Sequence, residues 1–369
     1  MKRRLFFLYS NHNKQFILKK TEENVMKKLL SVLLAAAMMA ALLMGCADKK
    51  ESKDSKDGGS KDVTIAFSFE DLETEFWVAA HEIITDTLKD EGYKVIELNC
   101  QGDANKQLEQ VNDALTQDID GIIMIPVDGD TAVTVTAAAN ESEVPIVIFN
   151  RPPTSDEGSN ITVVCDNATT AEATVDYMVE QAKAKFEKTG KKLTPCILVG
   201  DLGDPNAIER KNGFYAAVEK EKDIFNEVIE VPTEWDAATA LANLQSAVQA
   251  NPDIDFIFSS SDFLFPTIQS VVEPLGKWQK AGDDGHIILG GLDGDSTAGK
   301  LIDEGYVDAT GVQDLFYEAD AAMNGIIKAI EDGETTPDEI VEDPGFALTQ
   351  GNLAEKRMDM WGNAVSAEK

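Results

Sequence analysis

Histidine is almost missing from this sequence: His12, His81 and His286 are the three in 369 residues. They have no metal-ligand spacing, and none stands with a serine or cysteine as nucleophile and base, so zinc and triad chemistry are excluded. Cysteine is scarce as well. Besides Cys46 there are Cys100, Cys165 and Cys196, an odd number in apolar runs, which argues for buried free thiols rather than a disulfide framework. Positive charge is outnumbered two to one, with 33 Lys and Arg against 66 Asp and Glu and a net charge of −33. Such a surface repels phosphate backbones, so no nucleic-acid partner is expected. A phosphate loop is also lacking. Gly294, Gly299 and Lys300 have its spacing, but Leu301 stands where a magnesium-binding Ser or Thr is required. With no base, nucleophile or metal site, the chain is not expected to be an enzyme or to need a cofactor or metal.

One long apolar run is present, over residues 29–44, broken only by Ser31. Lys27 and Lys28 precede it, and it ends in Leu43, Met44, Gly45 and Cys46. A charged start and a short apolar segment make an export signal, since a spanning helix needs roughly 20 apolar residues. A small residue before a cysteine, with a polar tether after it, fits a bacterial lipobox. Residues 1–45 are therefore expected to be a signal peptide and Cys46 the lipidated N-terminus. Residues 21–26 can be encoded by a purine-rich ribosome-binding sequence and a start codon, which points to Met26 as the true start. Residues 46–61 are nearly all Lys, Asp, Ser, Gly and Glu, a flexible lipid-anchored tether to the cell membrane.

Removal of the signal leaves roughly 320 residues, more than a single core usually grows to, so two lobes are expected. Short β-branched runs at 63–69, 95–100, 121–126, 145–150, 161–165, 196–200, 227–231, 256–259, 287–292 and 307–312 alternate with segments of helical spacing. Near-continuous apolar strands alternating with helices give the fold class: α/β, with doubly wound parallel sheets covered on both faces. Ligands in such sheets bind beyond the carboxyl ends of the strands. The residues that follow the runs are amides, carboxylates, arginines and aromatic rings. That mixture suits a small neutral sugar, whose hydroxyls take charge-assisted hydrogen bonds and whose C–H faces lie against aromatic rings.

The stretch Gln107, Leu108, Gln110 and Val111, with Asp120 to Asp128, resembles the ribose- and galactose/glucose-binding protein family. So do Val147 to Arg151, Pro205 to Phe214, Trp235–Asp236, Leu289 to Asp293 and Asn352 to Glu355. The resemblance covers nearly the whole chain beyond the signal. It implies a type I periplasmic-binding-protein fold, two lobes joined by three crossover strands near Arg151, Gln313 and Asp343. Lobe 1 would hold residues 62–151 and 313–342, and lobe 2 residues 152–312 and 343–369. By similarity Phe76 and Trp235 would sandwich a sugar ring, with Trp77 the alternative to Phe76. Asn150, Arg151, Asn206, Arg210, Ser261, Asp293 and Gln313 would bind hydroxyls. Arg151 could instead pair with an acidic neighbour, and Asp293 could cap a helix before Ser296, as Asp262 could cap the helix after it.

Three positions depart from the family pattern: Ile125 replaces an asparagine, Thr74 an acid or amide, and Asp204 a histidine. No calcium loop follows Lys188. The resemblance implies a monosaccharide or polyol as cargo, a monomer, and an ABC transporter permease as partner. A sensor presenting sugar to a chemoreceptor or sensor kinase is the alternative. A repressor of the same fold would need a DNA-binding helix pair where the lipobox stands.

Overall fold

Strands and helices alternate as the apolar runs require, in a computed structural model that describes residues 62–368. The lipobox at Cys46, the tether and the start at Met26 lie outside the described residues. The chain begins β1 (Thr64–Phe69), α1 (Glu75–Asp90), β2 (Lys94–Asn99), α2 (Ala104–Leu115), β3 (Gly121–Met124), α3 (Gly129–Glu141), β4 (Ile146–Phe149), β5 (Ile161–Cys165) and α4 (Asn167–Thr189). It continues β6 (Thr194–Val199), α5 (Pro205–Glu219), β7 (Ile229–Pro232), α6 (Ala237–Ala250), β8 (Ile254–Ser259), α7 (Phe265–Val272), β9 (Ile288–Asp293), α8 (Ser296–Glu304) and β10 (Ala309–Val312). It ends α9 (Leu315–Asp332), β11 (Glu339–Asp343), β12 (Phe346–Thr349), α10 (Leu353–Lys356) and α11 (Trp361–Glu368).

Two six-stranded sheets result, ordered β11-β5-β4-β3-β1-β2 and β12-β10-β9-β8-β6-β7. All neighbours run parallel except β12, which pairs antiparallel with β10. The continuous apolar runs follow from burial on both faces. In the first sheet Ala66, Ile122 and Ile148 pack on Val111 of α2 and Val135 of α3. From its other face Phe67, Ile123 and Val147 join the cluster that holds Ile84 of α1 and Ile326 of α9. The second sheet repeats this, with Ile197 and Phe258 against Val175 and Phe214, and Leu198 and Ile257 in the cluster with Leu244 and Ile268. Helices α4 and α5 pack closely enough that a Cβ at Gly213 would lie 2.4 Å from the Ala168 carbonyl.

Two strands, β11 and β12, are additional to the ten apolar runs. Acidic residues and exposure hide β11, where Ile340 is 74% exposed. The run at 161–165 also belongs elsewhere than expected. As β5 it pairs with β4 and β11, so the chain passes to the second sheet after Cys165 and not at Arg151. It returns between β10 and α9, at Gln313, and crosses again between β11 and β12. Cys100, Cys165 and Cys196 are buried free thiols.

Seven of the 66 acidic residues cap helix starts. Asp103, Asp128, Asp166, Asp204, Asp236, Asp295 and Asp314 each accept a backbone N–H in the first turn of α2, α3, α4, α5, α6, α8 and α9. Each such cap stabilises by about 1 kcal/mol. No helix of the described residues is long and apolar enough to cross a membrane.

Candidate functional site

The carboxyl ends of both sheets face one another, and polar side chains from them meet in one network. Arg210, on the second turn of α5, donates from Nε to Asn167 Oδ1 at 2.7 Å, and from Nη1 to the Ser260 carbonyl at 2.7 Å and Asp293 Oδ1 at 2.8 Å. Asp293 also accepts from Ser261 Oγ and from Gln313 Nε2 at 2.9 Å. Gln313 Oε1 accepts from Asn150 Nδ2 at 2.8 Å, and Asn206 Nδ2 reaches the Asn150 carbonyl at 3.0 Å. Asn167 Nδ2 donates to Asn206 Oδ1 at 3.0 Å and closes the circuit back to Arg210. The circuit takes residues from both sheets and from the Gln313 crossover.

Arg151 forms a second centre beside it. Its Nε donates to Asp204 Oδ2 at 2.9 Å, and its Nη1 to Glu70 Oε2 at 2.8 Å and the Pro126 carbonyl at 2.7 Å, with Val127 O a further acceptor. Asp204 Oδ2 accepts from Trp235 Nε1 too, at 3.1 Å. Each guanidinium lies over an indole, Arg151 5.8 Å from the Trp77 ring centre and Arg210 5.7 Å from that of Trp235. At the rim, Glu75 Oε2 accepts from Ser296 Oγ at 2.7 Å and Ser296 N at 3.1 Å, joining the first turns of α1 and α8.

The backbone is unusual at these points. Asn150, Trp235 and Asp293 have φ of 66°, 53° and 132°, a region that non-glycine residues rarely enter. Strain of this kind costs on the order of 1–3 kcal/mol per residue and collects at functional sites. Burial does further work on the acids. It is the main cause that raises the carboxyl of Asp293, against the pull of Arg210, and it raises those of Asp262 and Glu318 well above the ordinary range. Asp262 Oδ1, Glu318 Oε1 and Ser260 Oγ are buried without a hydrogen-bond partner.

Asn150, Asn206, Arg210, Ser261, Asp293 and Gln313 are thus joined by hydrogen bonds, Asp204 ties Arg151 and Trp235 to them by accepting from Asn206 N at 2.9 Å, and Trp77 lies beside Arg151. Phe76 has no hydrogen bond to the group, and its ring packs edge-on to Trp77 at 5.0 Å. It is 6% exposed and packs edge-on to Trp361 at 5.6 Å. Arg151 does pair with acidic neighbours, and Nη1 and Nε are taken by them and by carbonyls. The two capping alternatives fail: Asp295 caps α8, while Asp262 Oδ2 accepts from Gly294 N and Thr310 Oγ1. Glu70, Asp204 and Asn167 are central yet absent from the expected set. Their position after apolar runs was the available signal. Glu318, which accepts from Asn150 Nδ2 at 3.0 Å, carried none because it lies inside α9.

Cys165, Glu318 and Asp343 place ligand atoms within 4.8 Å of one another where the crossovers meet, a grouping able to hold a metal that the sequence did not suggest. Both Asp343 oxygens already accept backbone N–H groups, from Asp314 at 2.6 Å and Gly345 at 3.0 Å. Burial raises the Cys165 thiol well above its ordinary value, which disfavours a thiolate ligand.

Residues 65–335 match the family described as periplasmic binding protein domain. The chain belongs to that family. It is 26% identical over 275 residues to the ribose import binding protein of Bacillus subtilis, covering 74% of this chain and 84% of the relative. The D-allose-binding periplasmic protein of Escherichia coli is 25% identical over 293 residues, 76% and 88% of the two chains. A solved ABC transporter solute-binding protein from Bacillus halodurans, with bound myo-inositol, superposes with a TM-score of 0.68 at 20% identity over 83% of this chain and 100% of its own. The two-lobed type I periplasmic binding protein fold is therefore established, and the family is one of binding proteins.

Proposed function

We propose that this chain is an extracytoplasmic solute-binding lipoprotein that captures a small neutral sugar or polyol between its lobes and hands it to an ABC transporter permease. The observation that carries the proposal is the circuit of Asn150, Asn206, Arg210, Asp293 and Gln313, with indoles against Arg210 and the neighbouring Arg151, in a member of the periplasmic binding protein family. Amides, arginines and a carboxylate offer donors and acceptors to hydroxyls, and indole faces suit the C–H side of a sugar ring. The relatives named above for ribose and allose, and the fold neighbour holding myo-inositol, support this ligand class. Transfer between protein and permease suits a monomer, held at the membrane through Cys46.

A thermal-shift screen of D-ribose, D-allose, myo-inositol and glycerol tests the ligand. A sugar at 100 times its dissociation constant adds about 2.7 kcal/mol of stability. A panel of monosaccharides and polyols without any shift refutes the proposal. The anchor is tested separately: the Cys46→Ser chain should no longer incorporate labelled fatty acid, and continued incorporation refutes the lipobox.

A further inference from the structure

A residue far along the sequence from the expected site supports it from behind. Trp361, which opens α11, is 1% exposed and lies beyond the residues 65–335 that match the family. Its indole Nε1 donates to the Asp293 carbonyl at 2.8 Å, whereas the bond that the same carbonyl receives from Gln313 N is long, at 3.4 Å. Asp293 ends β9 with a φ of 132°. A backbone of this kind persists only where its surroundings impose it. We propose that Trp361 is a positioning residue for the solute site: by holding the Asp293 carbonyl it aims the Asp293 carboxylate at Arg210, Ser261 and Gln313. The inference rests on the cleft being the solute site.

The loop after β9 is gripped at successive atoms. The peptide between Asp293 and Gly294 is held at both ends, its oxygen by Trp361 and its N–H by Asp262 Oδ2 at 2.7 Å. The next carbonyl, that of Gly294, accepts from Gly362 N at 3.2 Å. Two neighbouring residues of α11 thus hold two successive carbonyls. The approach is close: a Cβ at Gly362 would lie 2.4 Å from the Asp295 carbonyl carbon and from Ser296 N. On its other side the indole is backed by Phe76 of α1, edge-on at 5.6 Å.

From this fixed backbone the Asp293 carboxylate meets Arg210 Nη1 at 2.8 Å, Gln313 Nε2 at 2.9 Å and the Ser261 hydroxyl. The single N–H of the indole is taken by the carbonyl, so Trp361 offers a solute no donor and acts through Asp293. Without that N–H the carbonyl keeps only the long bond from Gln313. The strained backbone then relaxes, and the carboxylate turns away from its three donors.

The experiment removes the donor and keeps the shape. Trp361 is replaced by benzothienylalanine, whose ring has sulfur where indole has N–H, and in a second variant by phenylalanine, Trp361→Phe. Val365→Ala, one turn along the same helix and packed on the same core cluster, controls for lost packing. Affinity is measured for the tightest binder among D-ribose, D-allose, myo-inositol and glycerol, and denaturant melts without ligand read stability. The benzothienylalanine protein should bind roughly tenfold more weakly, the worth of one hydrogen bond, and Trp361→Phe at least as weakly. Val365→Ala should lose stability and keep wild-type affinity. The decisive comparison is a cycle with Ser261→Ala. If Trp361 aims the carboxylate, its replacement has already parted Asp293 from Ser261, so the two losses are less than additive in affinity and in the ligand-free melts. A role in packing alone makes them additive. Wild-type affinity in the benzothienylalanine protein, an equal loss of affinity in Val365→Ala, or additive losses in the cycle overturn the inference. Failure of every sugar to bind would refute the transport proposal instead, and the cycle read in ligand-free melts would then decide this one.

Discussion

Gly200 tests the stacking geometry without removing any group that touches a ligand. It directly follows β6, and a Cβ built on it would lie 2.2 Å from two carbons of the Trp235 six-membered ring and 2.5 Å from a third. Ordinary carbon contacts begin near 3.5 Å, so in Gly200→Ala the indole has to retreat by roughly 1.3 Å. Trp235 is half-buried, so its ring keeps an exposed side towards which it can move. That movement breaks its 3.1 Å bond to Asp204 and shifts the face that a sugar would stack on. Crowding of this kind costs on the order of 1 kcal/mol of stability, and displacing an aromatic anchor about 2 kcal/mol of binding, roughly a thirtyfold loss. Titration of tryptophan fluorescence measures the second and denaturant melts the first. The decisive comparison is a cycle with Trp235→Ala, which should itself weaken binding by roughly 2–4 kcal/mol. Once the ring is gone, Gly200→Ala has nothing to displace and should add no further loss. Wild-type affinity in Gly200→Ala, or additive losses in the double variant, would refute the placement of Trp235 in the site.

Asp293→Ala should abolish measurable binding and also lower stability by about 3–5 kcal/mol, since Arg210, 5% exposed at its side chain, is left buried without its carboxylate. Denaturant melts read that cost, and unchanged stability would show that Arg210 does not depend on Asp293. Glu318→Gln tests the buried acid beside Asn150. Burial first, and Asp343 second, raise the Glu318 carboxyl well above the ordinary range. The wild type therefore loses stability as pH climbs above the ordinary carboxylate value, because the unfolded chain gives up a proton that the folded one keeps. The Gln variant escapes this loss, so its stability relative to wild type should increase between about pH 5 and pH 8. A difference that stays constant over that range would mean that Glu318 is ionised in the fold.

Ten strands were legible because burial on both faces turns them into apolar runs, which polar residues at their carboxyl ends interrupt. β11 and β12 were not, because β11 is an edge strand with the sequence EIVED and β12 forms only four residues against β10. The sheet to which residues 161–165 belong depends on pairing, and pattern alone cannot reveal a partner. Single site residues were visible by the same rule that revealed the strands, since each follows an apolar run. Their connections were not. The sequence left Arg151 open between a hydroxyl and an acidic neighbour until Glu70 and Asp204 arrived from distant segments, and it left Phe76 and Trp77 as alternatives until the fold packed Phe76 against Trp361. Sequence order says which residues reach the cleft, while the fold decides how many donors remain when they get there.

The two arginines divide the work unequally, and that difference predicts the order of events. Arg210 has its partners on one side: Asn167 opens α4, Ser260 follows β8 and Asp293 ends β9, all built on the second sheet. Opening the cleft takes none of these away, so this half of the site is assembled before a ligand arrives. Arg151 takes Glu70, Pro126 and Val127 from the first lobe but Asp204 from the second, so its arrangement is completed only on closure. A sugar should therefore dock first on Arg210, Asp293 and Trp235, and be retained when Arg151 reaches Asp204. A preassembled surface sets the association rate, and contacts that form on closure set the residence time. Lysine cannot reproduce either guanidinium fork, so Arg151→Lys should chiefly speed dissociation, whereas Arg210→Lys should slow association as well. Stopped-flow measurement of tryptophan fluorescence separates the two rates. Slower association in Arg151→Lys with unchanged dissociation would reverse the proposed order and assign first capture to the first lobe.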